Sequence, residues 1–235
     1  MKLAEVMDFL KEKGSEQTKN VLKRHGATEP FFGVKIADLK IIQKKIKTDH
    51  KLALKLYQTG NSDAMYLAAL IADPAKFTPD VLNDWAEQAT WYLISDYAVT
   101  WMAAESPFGI KMAKEWIQSD RELVASAGWS TYASVVAIKP NEELNLLEIR
   151  SLLEYITDNI HDAPNRVRYA MNNFVIAVGS FVPELNEECK IYGDMLGNVE
   201  VNMGDTSCKV PQAREYIEKV EEKGRIGKKR KRAVC

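Results

Sequence analysis

Apolar positions in this chain recur mostly three and four residues apart, the spacing of amphipathic helices that bury one face. In "IADLKIIQKKIK" (36–47), Leu39, Ile42 and Ile46 form one stripe while Lys40, Lys44 and Lys47 line another. Between 163 and 179, Val167, Met171, Phe174, Val175 and Val178 point inward together, Tyr169, Asn172 and Asn173 take the opposite side, and Arg166 and Arg168 stand in the first turn. Helix starts are marked by Ser15, by Ser62, by Thr78 before Pro79, by Ser106 before Pro107, and near Asp162. Connections such as "ADPAKF" and "AIKPN" are short, which makes successive helices antiparallel neighbours. About twelve helices in a row with no strand to organise them predict an all-α fold, a superhelical solenoid of stacked antiparallel helix pairs in one domain over 1–222. Near the end, "GNVEVNMGDTSCKVPQA" breaks the pattern with Gly197, an alternation at Val199 and Val201, and Gly204; a small hairpin or irregular excursion is expected there. A last helix follows in "VPQAREYIEKVEEKG".

One stretch, "TWYLISDYAV" (90–99), raises a chemical question, because Asp96 is the only formal charge between Ala89 and Ala104. On a wheel of about 100° per residue, Leu93, Ile94, Tyr97, Trp101 and Ala104 gather as a core stripe, and Tyr92, Asp96, Val99 and Ala103 fall opposite. With no Lys, Arg or Glu to wet that second face, the helix is expected to be covered on both sides, with Asp96 in a groove and Tyr92 one turn below it. Such a carboxylate serves either as a hydrogen-bond partner for a neighbouring helix or in chemistry. The segment "DRELVASAGWSTYASVVA" (120–137) is rich in small residues that permit close helix approach; Trp129 within it reads as core or as a stacking platform.

Composition changes this picture little, since 46% hydrophobic and 28% charged residues belong to an ordinary globular protein. No signal-peptide pattern and no membrane-length apolar run occur, and the three cysteines show no zinc or disulfide spacing, so a cytoplasmic protein without metal or cofactor is expected. No convergent Asp, Glu and His cluster supports a metal-dependent enzyme. Charge matters more. Residues 223–235, "KGRIGKKRKRAVC", hold seven of the 32 Lys and Arg and no acid, leaving 25 bases against 33 acids, or −8, for the rest. A basic C-terminal tail of this kind suits a polyanion, with Lys228, Lys229, Arg230, Lys231 and Arg232 as phosphate contacts; a solvated terminus is the alternative. Arg166 and Arg168 oppose their helix dipole, so contact with phosphate or with an acid such as Asp162 is expected of them, and Lys40 and Lys44 form a further cationic face.

The order and length of the helices, "FFGVKIADLKIIQKKI" at 31–46 and above all "TWYLISDYAV" resemble the DNA alkylation repair family, the AlkD-like group of HEAT-like helical-repeat proteins, over roughly residues 20–185. The resemblance implies a solenoid that grips duplex DNA on a basic face. It also implies a glycosylase that releases cationic alkylpurines such as 3-methyladenine and 7-methylguanine by hydrolysis of the N-glycosidic bond. Asp96 would then be the catalytic carboxylate, stabilising an oxocarbenium-like sugar, with Tyr92, Trp91, Trp129 and Asn173 as substrate contacts. The chain departs from the active enzymes in having Tyr92 for a Trp, Asn173 for a second Trp and Ser126 for a phosphate-binding Arg. These substitutions fit a divergent DNA-binding member with weak or restricted glycosylase activity. The alternative is a non-catalytic helical-repeat scaffold for branched DNA or a protein partner.

Overall fold

The computed structural model describes residues 1–234. Among them the chain forms thirteen α-helices and no strand. They are α1 (Leu3–Lys13), α2 (Glu16–Arg24), α3 (Ile36–Ile46), α4 (His50–Tyr57), α5 (Ser62–Ile71), α6 (Pro79–Gln88), α7 (Thr100–Glu105), α8 (Gly109–Ile117), α9 (Glu122–Ile138), α10 (Leu146–Asn159), α11 (Asn165–Phe181), α12 (Asn186–Leu196) and α13 (Ala213–Glu222). A π-helical turn, Ile94–Val99, runs directly into α7.

The result is the expected solenoid of antiparallel pairs, in which α4 packs on α5, α8 on α9, and α9 in turn on α11. The small residues of 120–137 explain the closest of these approaches. A Cβ on Gly128 would lie 2.6 Å from the backbone nitrogen of Ile117, so α8 and α9 approach to a distance that no larger residue permits. Ser15 caps α2 through the Thr18 amide, and Thr78 caps α6 through that of Val81. Three starts shift. Asn61 rather than Ser62 caps α5, accepting from the Ala64 amide; Ser106 ends α7 and bonds the Phe108 amide ahead of α8; and α11 begins after Pro164, past Asp162.

The π-turn corrects the wheel drawn for 90–104. Its wider i→i+5 bonding rotates every later side chain relative to an α-helix. Val99 and Ala103, placed on the outer face, are therefore fully buried, whereas Tyr97, placed in the stripe, is only half-buried; Leu93, just before the turn, is half-buried as well. The expectation of a helix covered on both sides holds.

Residues 197–212 are irregular rather than a hairpin, and they cross the molecule from α12 to α2. The Asp205 amide donates to the Arg24 carbonyl at 3.1 Å, and Asn165 exchanges two hydrogen bonds with the backbone of Asn202. Gly204 is required at the crossing: its φ is +76°, and a Cβ would stand 2.2 Å from the Arg24 oxygen.

The basic terminus also departs from a free tail. The Gly227 amide donates to the Ser180 carbonyl and the Arg230 amide to that of Ala137. Lys229 Nζ donates to the Val136 carbonyl at 2.8 Å. Glu105 then clamps the end, accepting from the Arg232 guanidinium and from the amides of Ala233 and Val234, and Ala233 is buried. A strap forms because its backbone donors find carbonyls left unpaired at the ends of α9 and α11. Cys235 lies outside the described residues. Among the described residues, no helix is long and apolar enough to cross a membrane.

Candidate functional site

Asp96 sits on the π-turn between α5, α7 and α9, and its side chain is only 6% exposed. Ser95 donates to Oδ1 at 2.8 Å, and Ser126 of α9 donates to the same oxygen at 2.7 Å. The other oxygen, Oδ2, receives Arg166 from the first turn of α11 at 3.0 Å. Burial pushes the carboxyl above its ordinary range, while Arg166, Ser126 and Ser95 oppose that rise.

Arg166 is enclosed on several sides, although its Nε is buried without a hydrogen-bond partner. The guanidinium carbon stands 4.1 Å from the ring centre of Tyr92 and 4.5 Å from that of Tyr169, within cation–π range of both. Met203, from the irregular crossing segment, reaches its Nη1 at 4.0 Å. Glu122 of α9 accepts from the Arg166 amide at 2.6 Å, placing a carboxylate at the N-terminus of α11. Tyr92 is fixed in turn by a 3.2 Å contact between its hydroxyl and His25 Nδ1. The assembly is a closed cage: a carboxylate and two tyrosine rings around a planar cation that the chain itself supplies.

Several sequence-derived assignments change. Arg166, expected to meet phosphate or an acid such as Asp162, is 9% exposed and meets an acid, Asp96 rather than Asp162, with its amide on Glu122. Trp129 is fully buried between Tyr155 and Phe174, a core ring with no face free for a base. Trp91 is 5% exposed and packs edge-on behind Tyr92. Ser126 is buried and directed at Asp96, so no phosphate contact arises where the active family members carry Arg. Arg168 is half-buried beside the crossing segment, and Lys40 and Lys44 are exposed on α3, which packs on α1 and α5. Asn173 lines a separate cavity together with Lys228, Lys229 and Arg230. Lys231 lies at another cavity, and Arg232 is bound to Glu105. Tyr169, Glu122 and Ser95 completed the cage unforeseen; the three-residue spacing of Arg166 and Tyr169 on one helix was the only signal for any of them. Among the described residues, no group of three or more His, Cys, Asp or Glu is placed to hold a metal.

Residues 6–188 match the family described as DNA alkylation repair enzyme. This chain belongs to that family. Two uncharacterized proteins, from Listeria monocytogenes and Listeria innocua, are each 34% identical to it over 208 residues, covering 86% of this chain and 89% of theirs. A solved structure superposes over all of both chains with a TM-score of 0.91 at 38% identity. That structure is described as a new family of proteins related to the HEAT-like repeat DNA glycosylases with affinity for branched DNA structures. The solenoid of this DNA alkylation repair family member is thus HEAT-like.

Proposed function

We propose that this protein binds DNA through backbone phosphates, favours branched forms, and does not excise bases. The observation that carries the reading is the cage. A glycosylase carboxylate must face the sugar on which positive charge develops, and both oxygens of Asp96 are already taken by Arg166, Ser95 and Ser126. The described branched-DNA affinity of the 38%-identical structure supports the binding half, as do the cations of the C-terminal strap.

A second reading rests on the shape of the clamp. Arg166 is a planar, delocalised cation, and so is an alkylated purine; a cage that stacks the first between Tyr92 and Tyr169 is of a kind to accept the second if Arg166 leaves. One experiment separates the readings. Release of 3-methyladenine and 7-methylguanine from methylated DNA is measured for the wild type and Asp96→Asn, alongside binding to a four-way junction and a matched duplex at several salt concentrations. The expected result is no release from either protein, and junction binding that weakens linearly in log K against log salt. Release by the wild type that disappears in Asp96→Asn would overturn the non-catalytic reading.

A further inference from the structure

The strap, α11 and α13 enclose a cavity of about 770 Å³. Six basic side chains line it: Lys219, Lys223, Arg225, Lys228, Lys229 and Arg230. No Asp or Glu is among its lining residues. Lys223, Arg225 and Lys228 have no ion-pair partner among the described residues, and Lys219 has only an exposed contact to Glu215 at 3.5 Å. Cations gathered with no acid in the lining repel one another, so the chain tolerates this arrangement at a cost that a bound anion would relieve. The other walls carry the aromatic Tyr169, Phe181 and Tyr216 and the amide of Asn173, with the aliphatic Ile176, Ala177, Pro211 and Val220 between them. Ser180, also in the lining, is 3% exposed, and its hydroxyl has no hydrogen-bond partner. A buried hydroxyl left unpaired calls for an explanation, and an occupant of the cavity beside it would supply one.

We propose that this cavity receives an unpaired nucleotide of bound DNA, its phosphate on the Lys219, Lys223 and Lys228 rim and its base against Tyr216 beside Asn173. This rests on the DNA-binding reading and locates it. The volume lies within the range of about 300–1,000 Å³ typical of small-molecule sites. Aromatic faces stack any base, while an asparagine amide offers both a donor and an acceptor to a base edge. The location is apt as well, since Tyr169, which lines the cavity, also stacks on Arg166. An unpaired nucleotide is what a bulge or a single-stranded flap at a branch provides and an intact duplex does not.

The test uses the full chain and a duplex carrying one unpaired 2-aminopurine. With the wild type, 2-aminopurine emission is expected to change on binding as the base stacks. Tyr216→Ala should abolish that change. Lys223→Glu with Lys228→Glu should weaken binding and flatten the log K against log salt slope by about one, for the phosphate that loses two of its three lysines. All three positions are exposed, and matching thermal melts verify that the variants fold. Deoxyadenosine monophosphate, titrated against the isotope-labelled protein, keeps the two ideas separable. Shifts clustered on Ser180, Tyr216 and Lys223 without duplex binding would uphold the cavity as a nucleotide site and sink the DNA-binding reading. Duplex binding with unchanged affinity, slope and emission in both variants, and no such shifts, would overturn the cavity.

Discussion

Two clusters in this protein set cations against tyrosines, and their surroundings give them opposite properties. At the cage, Arg166 meets Asp96 at 3.0 Å with both side chains almost wholly buried, and every strong partner belongs to the chain. At the strap cavity, six cations gather with no acid in the lining. Proximity to an aromatic ring therefore does not by itself leave a cation open to an incoming anion; what matters is whether a carboxylate already holds it. The cage holds Asp96, the carboxylate expected to be catalytic, yet its charge is already met by Arg166. The cavity lies outside that motif, and the proposal assigns the incoming phosphate to it.

The most severe challenge to this contrast is Arg166→Ala. It strands Asp96 in the interior, and a fall of about 3–5 kcal/mol in urea-denaturation stability is expected. Replacing both partners, Asp96→Leu with Arg166→Met, should recover most of that fall, because no buried charge remains. If Arg166→Ala costs less than about 1 kcal/mol, water reaches Asp96 freely and the cage is not closed.

A smaller effect is expected from Tyr92→Leu, which removes one wall of the clamp and the hydroxyl that meets His25. A decrease of about 0.5–2 kcal/mol, read from the same denaturation curves, would match a partly desolvated cation–π interaction. An unchanged stability would mean that Tyr169 and Asp96 alone hold the guanidinium.

The smallest stability effect should come from salt and from the cavity itself. Raising salt from about 50 to 200 mM should strip DNA from the protein by orders of magnitude while leaving the melting midpoint nearly unchanged, because buried pairs are screened far less than exposed charges. Lys223→Glu with Lys228→Glu should likewise leave the midpoint in place, or raise it by relieving repulsion. A midpoint that falls together with DNA affinity would show that the strap lysines act in folding rather than in binding.

Much of the fold was legible because its determinants are local. Thr78 before Pro79 and Ser15 before Glu16 cap helices through bonds three residues long, and short loops leave antiparallel packing as the way to bury each stripe. The wheel failed where Ile94–Val99 adopts the wider π spacing, which no residue in that stretch announces. Asp96 and Tyr92 were legible as a pair one turn apart. Their occupant was not, since Arg166 lies 70 residues away and its dipole-opposing position suggested only that some anion holds it. The basic run 228–232 was visible as charge, but its division among a cavity wall, a carbonyl contact and the Glu105 clamp was not.

The sequence by itself determined the helices, their antiparallel stacking, the buried carboxylate and the excess of positive charge at the end of the chain, all of which depend on neighbours a few residues apart. Tertiary structure alone decided which cation meets Asp96, which tryptophans are core, and that the basic terminus folds back as a wall instead of trailing into solvent. The physical reason is that charges and rings are assigned their roles by partners across the fold. An arginine beside a carboxylate is neutral to its surroundings, and the same residue without one attracts the next anion to arrive.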